Sequence, residues 1–289
     1  MNAYFLSLKS ETPNRDYWDY GFLDDYINGR LWKTYEWVDY EQLEVMKLPK
    51  DSKAIVVVPA RHHAGLEEKI NKELQNIDKV VLFLMGDEEA SFDVEKIKHP
   101  DISIWVQNAH PGKHDKYNRI GTGYPQAIRQ LDGTPYKKDL DVYFSGQITH
   151  PKRADMWASL KDYPGSIMNK TGGFTQGATP EIYYKYMSRA KVVPSPAGAV
   201  IPDSFRTFEA MECMAIPVAD DKNSLETISN YWDWLFNDIT PFPRIQNPEA
   251  WPFIVAQSVY IYNELIQKQT AWWIKYKRDF AYKIKEQLQ

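Results

Sequence analysis

Two series of short apolar runs, each interleaved with amphipathic stretches, constrain this chain more than any other feature. In the first series, residues 3–8, 54–59 (AIVVVP), 80–85 (VVLFLM) and 102–106 read as strands, and 17–28 and 66–74 as helices. The central runs lack polar alternation and are rich in β-branched residues, which predicts strands buried on both faces. The second series has strands at 142–145, 166–168, 191–194 and 215–219, with helices at 152–160, 180–187 and 204–213. Strands spaced by helix-length segments need crossover connections, so each series predicts a mostly parallel sheet with helices on both faces. Residues 108–135, rich in Gly, Pro, His and charge, read as loops with no clear strand. Residues 251–288 read as mainly helical with a break near Lys268. The expected fold is α/β, with two Rossmann-like domains facing each other across a cleft.

Composition narrows the function classes. The hydrophobic share of 43% and charged share of 26% over 289 residues exclude a disordered chain. A net charge of -4 argues against a large, uniformly basic nucleic-acid surface, while leaving room for a local basic groove. The single cysteine, Cys213, excludes an internal disulfide framework and a cysteine-based zinc site. No stretch is apolar for long enough to cross a membrane, and residues 1–20 lack the pattern of a secretory signal. A cytoplasmic, soluble protein is expected. Ten Trp and 19 Tyr supply flat apolar faces that build cores and also hold sugars or bases by stacking.

The segment 186–221 carries the most chemistry: strand, Pro/Gly loop, helix, strand. Asp203 or Ser204 can cap the helix, whose first N–H groups would face the loop crevice. With Arg206 in the first turn, this is an anion site. Glu209 lies three residues on and can share the Arg206 face. Such an arrangement suits a nucleoside diphosphate, the carboxylate accepting from ribose hydroxyls. It equally describes a capped helix with an Arg–Glu surface pair.

The order Ser204, Arg206, Glu209, Ala210, Cys213, Ile216-Pro217-Val218 and Asp220-Asp221, preceded by Lys191, Pro196 and Gly198, resembles the C-terminal domain of exostosin-like glycosyltransferases of the GT-B fold. The stretch 142–153 (VYFSGQITHPKR) resembles the strand-Gly-loop-Arg element of that family. Glu212 stands where the family usually has Gly, and Val193 where it often has Cys. The first half resembles it more loosely, through GDEE at 86–89 and IGTGYP at 120–125.

The resemblance implies an N-terminal acceptor domain over 1–135, a nucleotide-sugar domain over 136–265, and a final helix over 266–289 that crosses back. It implies a UDP-sugar donor as cosubstrate, with no other cofactor and no metal. Arg206 and the turn at Ser204 would hold the diphosphate and Glu209 the ribose. Lys152 and Arg153, after the Gly146 loop, would add positive charge, their other reading being a solvated helical turn. The 194–198 loop, with Pro196 and Gly198, would receive the base or sugar. A base for the acceptor hydroxyl is expected from the first domain, with Asp87 and His62 ranked ahead of Asp19. His62 also reads as a hydrated loop histidine and Asp87 as a cap of the next helix. The expected acceptor is a surface glycan of a bacterial or viral system. Hydroxymethylated pyrimidine in viral DNA is the alternative, served by Arg61, His62, His63, Lys113, His114, Lys116 and Arg119. A non-catalytic nucleotide-sugar or glycan-binding protein is a further reading. The oligomeric state is open.

Other motifs lead elsewhere. Asp139-Leu140-Asp141 matches a metal-binding D-x-D but precedes its strand, the wrong end of a sheet for a ligand. Pro111 and Gly112 separate His110 from His114, against a helical metal pair. Gly121-Thr122-Gly123 lacks the third glycine of a dinucleotide fingerprint. Trp272, Trp273, Tyr276 and Phe280 fall at helical spacing and read as a packing stripe. Tyr17, Trp18, Tyr20 and Phe22 read as core or as an acceptor platform.

Overall fold

The computed structural model describes residues 3–7, 22–23, 52–125, 127–128, 136–173, 176–223, 225 and 227–289. The fold is α/β, with two parallel sheets flanked by helices, in two compact units. The first unit comprises Met1–Thr122 and Tyr276–Gln289, the second Gly123–Lys275. No helix among the described residues is long and apolar enough to cross a membrane.

In the first unit, β1 (Ala3–Ser7), β2 (Lys53–Pro59), β3 (Lys79–Met85), β4 (Ile102–Gln107) and β5 (Asn118–Ile120) pair in chain order, all parallel. β2 and β3 are buried at every position after their first lysine, as continuous apolar runs require. Helix α1 (Glu67–Leu74) buries Ile70 and Leu74, and its first-turn Glu67 and Glu68 suit the helix dipole. β5 lies in the stretch expected to hold only loops. Its three residues, NRI, include a single apolar side chain, and pairing of Asn118 with Trp105 in β4 decides it instead.

Phe83 and Trp105 are register partners and their rings stack at 5.8 Å. Phe280 packs edge-on to both, at 6.2 and 5.0 Å, and Phe22 packs on Phe280 at 5.3 Å. Trp105 Nε1 donates to Gln287 at 2.8 Å. The end of the last helix therefore completes the core of this unit. Tyr17, Trp18 and Tyr20 lie outside the described residues.

The second unit runs β6 (Leu140–Gly146), α2 (Pro151–Leu160), β7 (Ser166–Lys170), α3 (Pro180–Arg189), β8 (Ala190–Ser195), α4 (Phe205–Glu212), β9 (Ile216–Asp220), α5 (Tyr231–Phe236), β10 (Arg244–Ile245), α6 (Trp251–Tyr260) and α7 (Tyr262–Gln287). α7 continues past Lys275 into the first unit. The sheet order is β10-β9-β8-β6-β7, all parallel. After β7 the chain returns across β6 to place β8, β9 and β10 on its other side. The direction of winding reverses between β6 and β8, and a crevice opens at the carboxyl ends of strands at such a reversal.

One side of this sheet packs Phe144, Met156, Leu160, Trp251 and Val255. Another aromatic cluster joins Phe208, Trp232, Phe236 and Trp273, and Trp272 meets Phe236 edge-on at 4.9 Å. The break in the C-terminal helices falls at Ile261 (φ -98, ψ 22) rather than near Lys268. Ile261 N still bonds Gln257 O at 3.0 Å and Leu265 N bonds Ile261 O at 3.1 Å, so the bend needs no Gly or Pro. Lys268 sits inside α7, paired with Glu264 at 2.6 Å.

Candidate functional site

Four segments meet at the reversal in the second sheet: the end of β6, the first turn of α2, the loop after β8 and the first turn of α4. β6 delivers Gly146 to its last position. A Cβ at Gly146 would stand 2.5 Å from Arg206 Nη2, so the missing side chain makes room for the guanidinium. Arg206 Nη2 donates to the Ser145 carbonyl at 3.1 Å, and the guanidinium lies 4.6 Å from the Phe144 ring centroid. Arg206 Nε is buried with no hydrogen-bond partner among the described residues. The head group is thus held by a carbonyl and a ring face, with donor capacity left for an acceptor.

Ser204 is the N-cap of α4, and its side chain makes no cap bond. Its hydroxyl lies 3.1 Å from Ser195 Oγ, which is 2.7 Å from Thr207 Oγ1. Glu209 is buried one turn deeper. Its Oε1 accepts from Tyr184 at 2.8 Å and its Oε2 from Tyr183 at 3.0 Å. Burial pushes the Glu209 carboxyl up, opposed by the Tyr184 bond, the Arg206 charge and the Tyr183 bond. Burial likewise raises the Tyr184 hydroxyl, so both tyrosines stay donors. Glu209 is therefore an interior carboxylate behind Arg206 rather than a surface partner.

α2 begins at Pro151, after the N-cap residue His150. Lys152 is buried and Arg153 half-buried, so neither sits on a solvated turn. Arg153 Nη1 reaches the Gln147 carbonyl at 3.4 Å. Burial, with the Arg153 charge, lowers His150 to about 4, leaving a neutral imidazole that meets the Ala197 backbone. In the loop after β8, Pro196 is buried. A Cβ on Gly198 would come 2.8 Å from the Ile201 carbonyl oxygen. The loop is a tight turn at that point. The structure thus brings Gly146, Lys152, Arg153, Pro196, Gly198, Ser204 and Arg206 to the carboxyl end of the second sheet, with Glu209 buried one turn into α4.

Sequence reading missed three contributors. Tyr183 and Tyr184 lie about a helix and a strand upstream of Glu209, a distance that linear spacing does not reveal. His150 had a signal, since a residue directly ahead of a helix-opening proline occupies the cap.

The opposite end of the same sheet is held by ion pairs. Asp139 accepts from Arg189 through both oxygens at 2.9 Å, and Asp141 from Lys191 at 2.7 Å. These are the aspartates of the D-x-D: Asp139 precedes β6 as expected, whereas Asp141 is the second residue of the strand, and both lie toward the end opposite Gly146. Cys213 caps the C-terminus of α4 and is buried, and burial pushes its thiol up to about 12.

In the first unit, Asp87 follows β3. Its Oδ1 accepts from Ser91 Oγ and its Oδ2 from Phe92 N, each at 2.7 Å. Gln107 accepts from Gly86 N at 2.8 Å and donates to Thr122 O at 2.9 Å. His110 bonds the Glu88 carbonyl at 2.6 Å, its own N–H donates to His114 Nδ1 at 2.9 Å, and Lys113 donates to the Ala90 carbonyl. Burial lowers His114 to about 4, so it is the neutral acceptor that this bond needs. His62 lies in the short helical turn after β2, Ala60–His63, and Asp19 lies outside the described residues.

No protein-family model matches this chain, and no curated protein matches it.

Proposed function

We propose that this chain is a glycosyltransferase that takes a sugar from a nucleotide-sugar donor, a UDP-sugar, to an acceptor hydroxyl. The observation that carries the reading is Arg206, seated at the switch point on Ser145 O and Phe144 with donor capacity to spare. A diphosphate placed there would accept from Arg206 and from the first N–H groups of α4. Lys152 and Arg153 would add charge to the leaving diphosphate, lowering the barrier to departure without a metal. Pro196 and Gly198 would border the sugar or base. Glu209 is buried and already accepts from both tyrosines, so it would meet the ribose only through a shift of the packing over it, or else act through Arg206.

The same proposal makes the two α/β units the halves of an exostosin-like GT-B enzyme, with the donor on the second and the acceptor on the first. Asp87, His62 and Asp19 are the candidates for the base. Asp87 already accepts from Ser91 Oγ and Phe92 N, one bond on each oxygen. The acceptor is proposed to be a surface glycan, with hydroxymethylated DNA as the alternative. A screen of UDP-sugars against glycan acceptors and hydroxymethylated duplexes tests the reading. Transfer to a glycan supports it, and transfer to the duplex replaces the acceptor. Binding of UDP without transfer or hydrolysis would mean a nucleotide-sugar-binding protein, and absence of both would refute the reading.

A further inference from the structure

Asp220 ends β9 with only 1% of its surface exposed. Its Oδ2 accepts from the Ala197 backbone N–H at 3.0 Å. Ala197 is itself fully buried and stands near the start of the loop between β8 and α4. That loop is held again at Val200, whose carbonyl accepts from Asn223 Nδ2 at 2.9 Å. Between these two points it turns at Gly198, where a Cβ would meet the carbonyl oxygens of Ile201 and Asp203 at 2.8 and 3.1 Å. A loop with so little slack passes a shift at Ala197 on to Ser204 and Arg206.

We propose that Asp220 is a positioning residue of the donor site: its carboxylate clamps the 196–204 loop at Ala197 and so sets where Arg206 and the first turn of α4 meet a diphosphate. The ligand half of this inference rests on the nucleotide-sugar reading; the clamp itself does not. Lys152 and Asp155 of α2 and the neighbouring Asp221 are the charged groups that act on Asp220. His150, at the start of α2, meets the backbone of the same Ala197 and is neutral.

Burial raises the Asp220 carboxyl to about 6, opposed by the Ala197 bond and the Lys152 charge. At pH 7 it is ionised and its bond to Ala197 is charge-assisted; protonation makes it an ordinary bond. The folded value lies above the unfolded one. The cost of burying the charge is therefore full above pH 6 and relieved as pH falls toward 4, where the group's contribution to stability improves. Clamp strength and the group's stability contribution move in opposite directions with acid, which separates positioning from mere stabilisation.

The test uses the full chain with Asp220→Ala and Asp220→Asn. Amide exchange in the free protein should quicken about tenfold over residues 196–204 in Asp220→Ala, with β6 and β8 still protected. Asp220→Asn, whose amide oxygen still accepts, should restore most of that protection. UDP affinity should fall about tenfold in Asp220→Ala and less in Asp220→Asn. Wild-type affinity should decline between pH 7 and 5 more steeply than that of Asp220→Asn. Unchanged exchange in Asp220→Ala overturns the clamp. Faster exchange with unchanged UDP affinity overturns the positioning role. A wild type that binds no UDP overturns the nucleotide-sugar reading and the ligand half with it, while exchange still decides the clamp. If Asp220→Ala does not fold, Asp220→Asn decides: a pH profile parallel to that of the wild type overturns the proposal.

Discussion

At the carboxyl end of the first sheet, Asp87, Gln107, His110 and His114 bond the loops to one another; at the corresponding end of the second, Arg206 donates to Ser145 and keeps a buried Nε without a partner among the described residues. The strand orders differ in the same sense. The described strands of the first sheet pair in chain order with no reversal, whereas the second reverses between β6 and β8. Polar groups that satisfy each other finish a sheet; polar groups with capacity left over invite a ligand. The titratable side chains after β3 and β4 therefore read as loop fasteners, and those at the reversal as a binding edge.

The sharpest way to break this contrast is Arg206→Ala. It should weaken UDP binding by about 1.5–3 kcal/mol, the scale of one charge-assisted contact, with the fold kept. Calorimetry and circular dichroism check both halves, and unchanged affinity would remove the distinction between the two ends. Asp87→Ala should do the reverse. Losing the bonds to Ser91 and Phe92 should lower unfolding free energy by about 1–3 kcal/mol while UDP affinity holds. Denaturant unfolding measures the first effect. A variant of undiminished stability that nevertheless loses transfer would instead make Asp87 the base.

Gly146→Ala sharpens the comparison at a finer scale. The new methyl displaces the guanidinium, a movable group, so stability should hold while affinity falls by about 1 kcal/mol. A crystal structure of the variant with Arg206 unmoved and affinity intact would defeat the argument. The smallest effect is expected from a chelator. On the proposed glycosyltransferase reading, initial transfer rates with and without EDTA should differ little: Arg206, Lys152 and Arg153 would supply the positive charge, and the D-x-D carboxylates are engaged by Arg189 and Lys191. Complete loss with recovery on Mn²⁺ would require a metal-based route.

Much of this was legible in the sequence where burial leaves a compositional mark. The runs at 54–59 and 80–85 are apolar because both faces of β2 and β3 are covered. The order Ser204, Arg206, Glu209 after a Pro/Gly loop placed the start of α4 at the carboxyl end of the second sheet, since a helix start after a parallel strand has one place to be. What stayed hidden depended on partners distant in sequence. β5 and β10 have three and two residues, too few for a pattern, and exist through their ladders. Ser204 reads as a cap from its type, yet its hydroxyl turns to Ser195. The exposure of Lys152 and of Glu209 depended on what packs over them, which spacing does not encode.

The sole cysteine of the chain has a practical use that follows from its buried place at the C-terminal cap of α4. A thiol that is buried and held protonated is a poor nucleophile toward maleimides or iodoacetamide. The folded protein should therefore behave as though it had no cysteine under gentle labelling conditions. A new cysteine at an exposed site such as Leu225 would then be the single point of dye attachment, with no native residue to remove first.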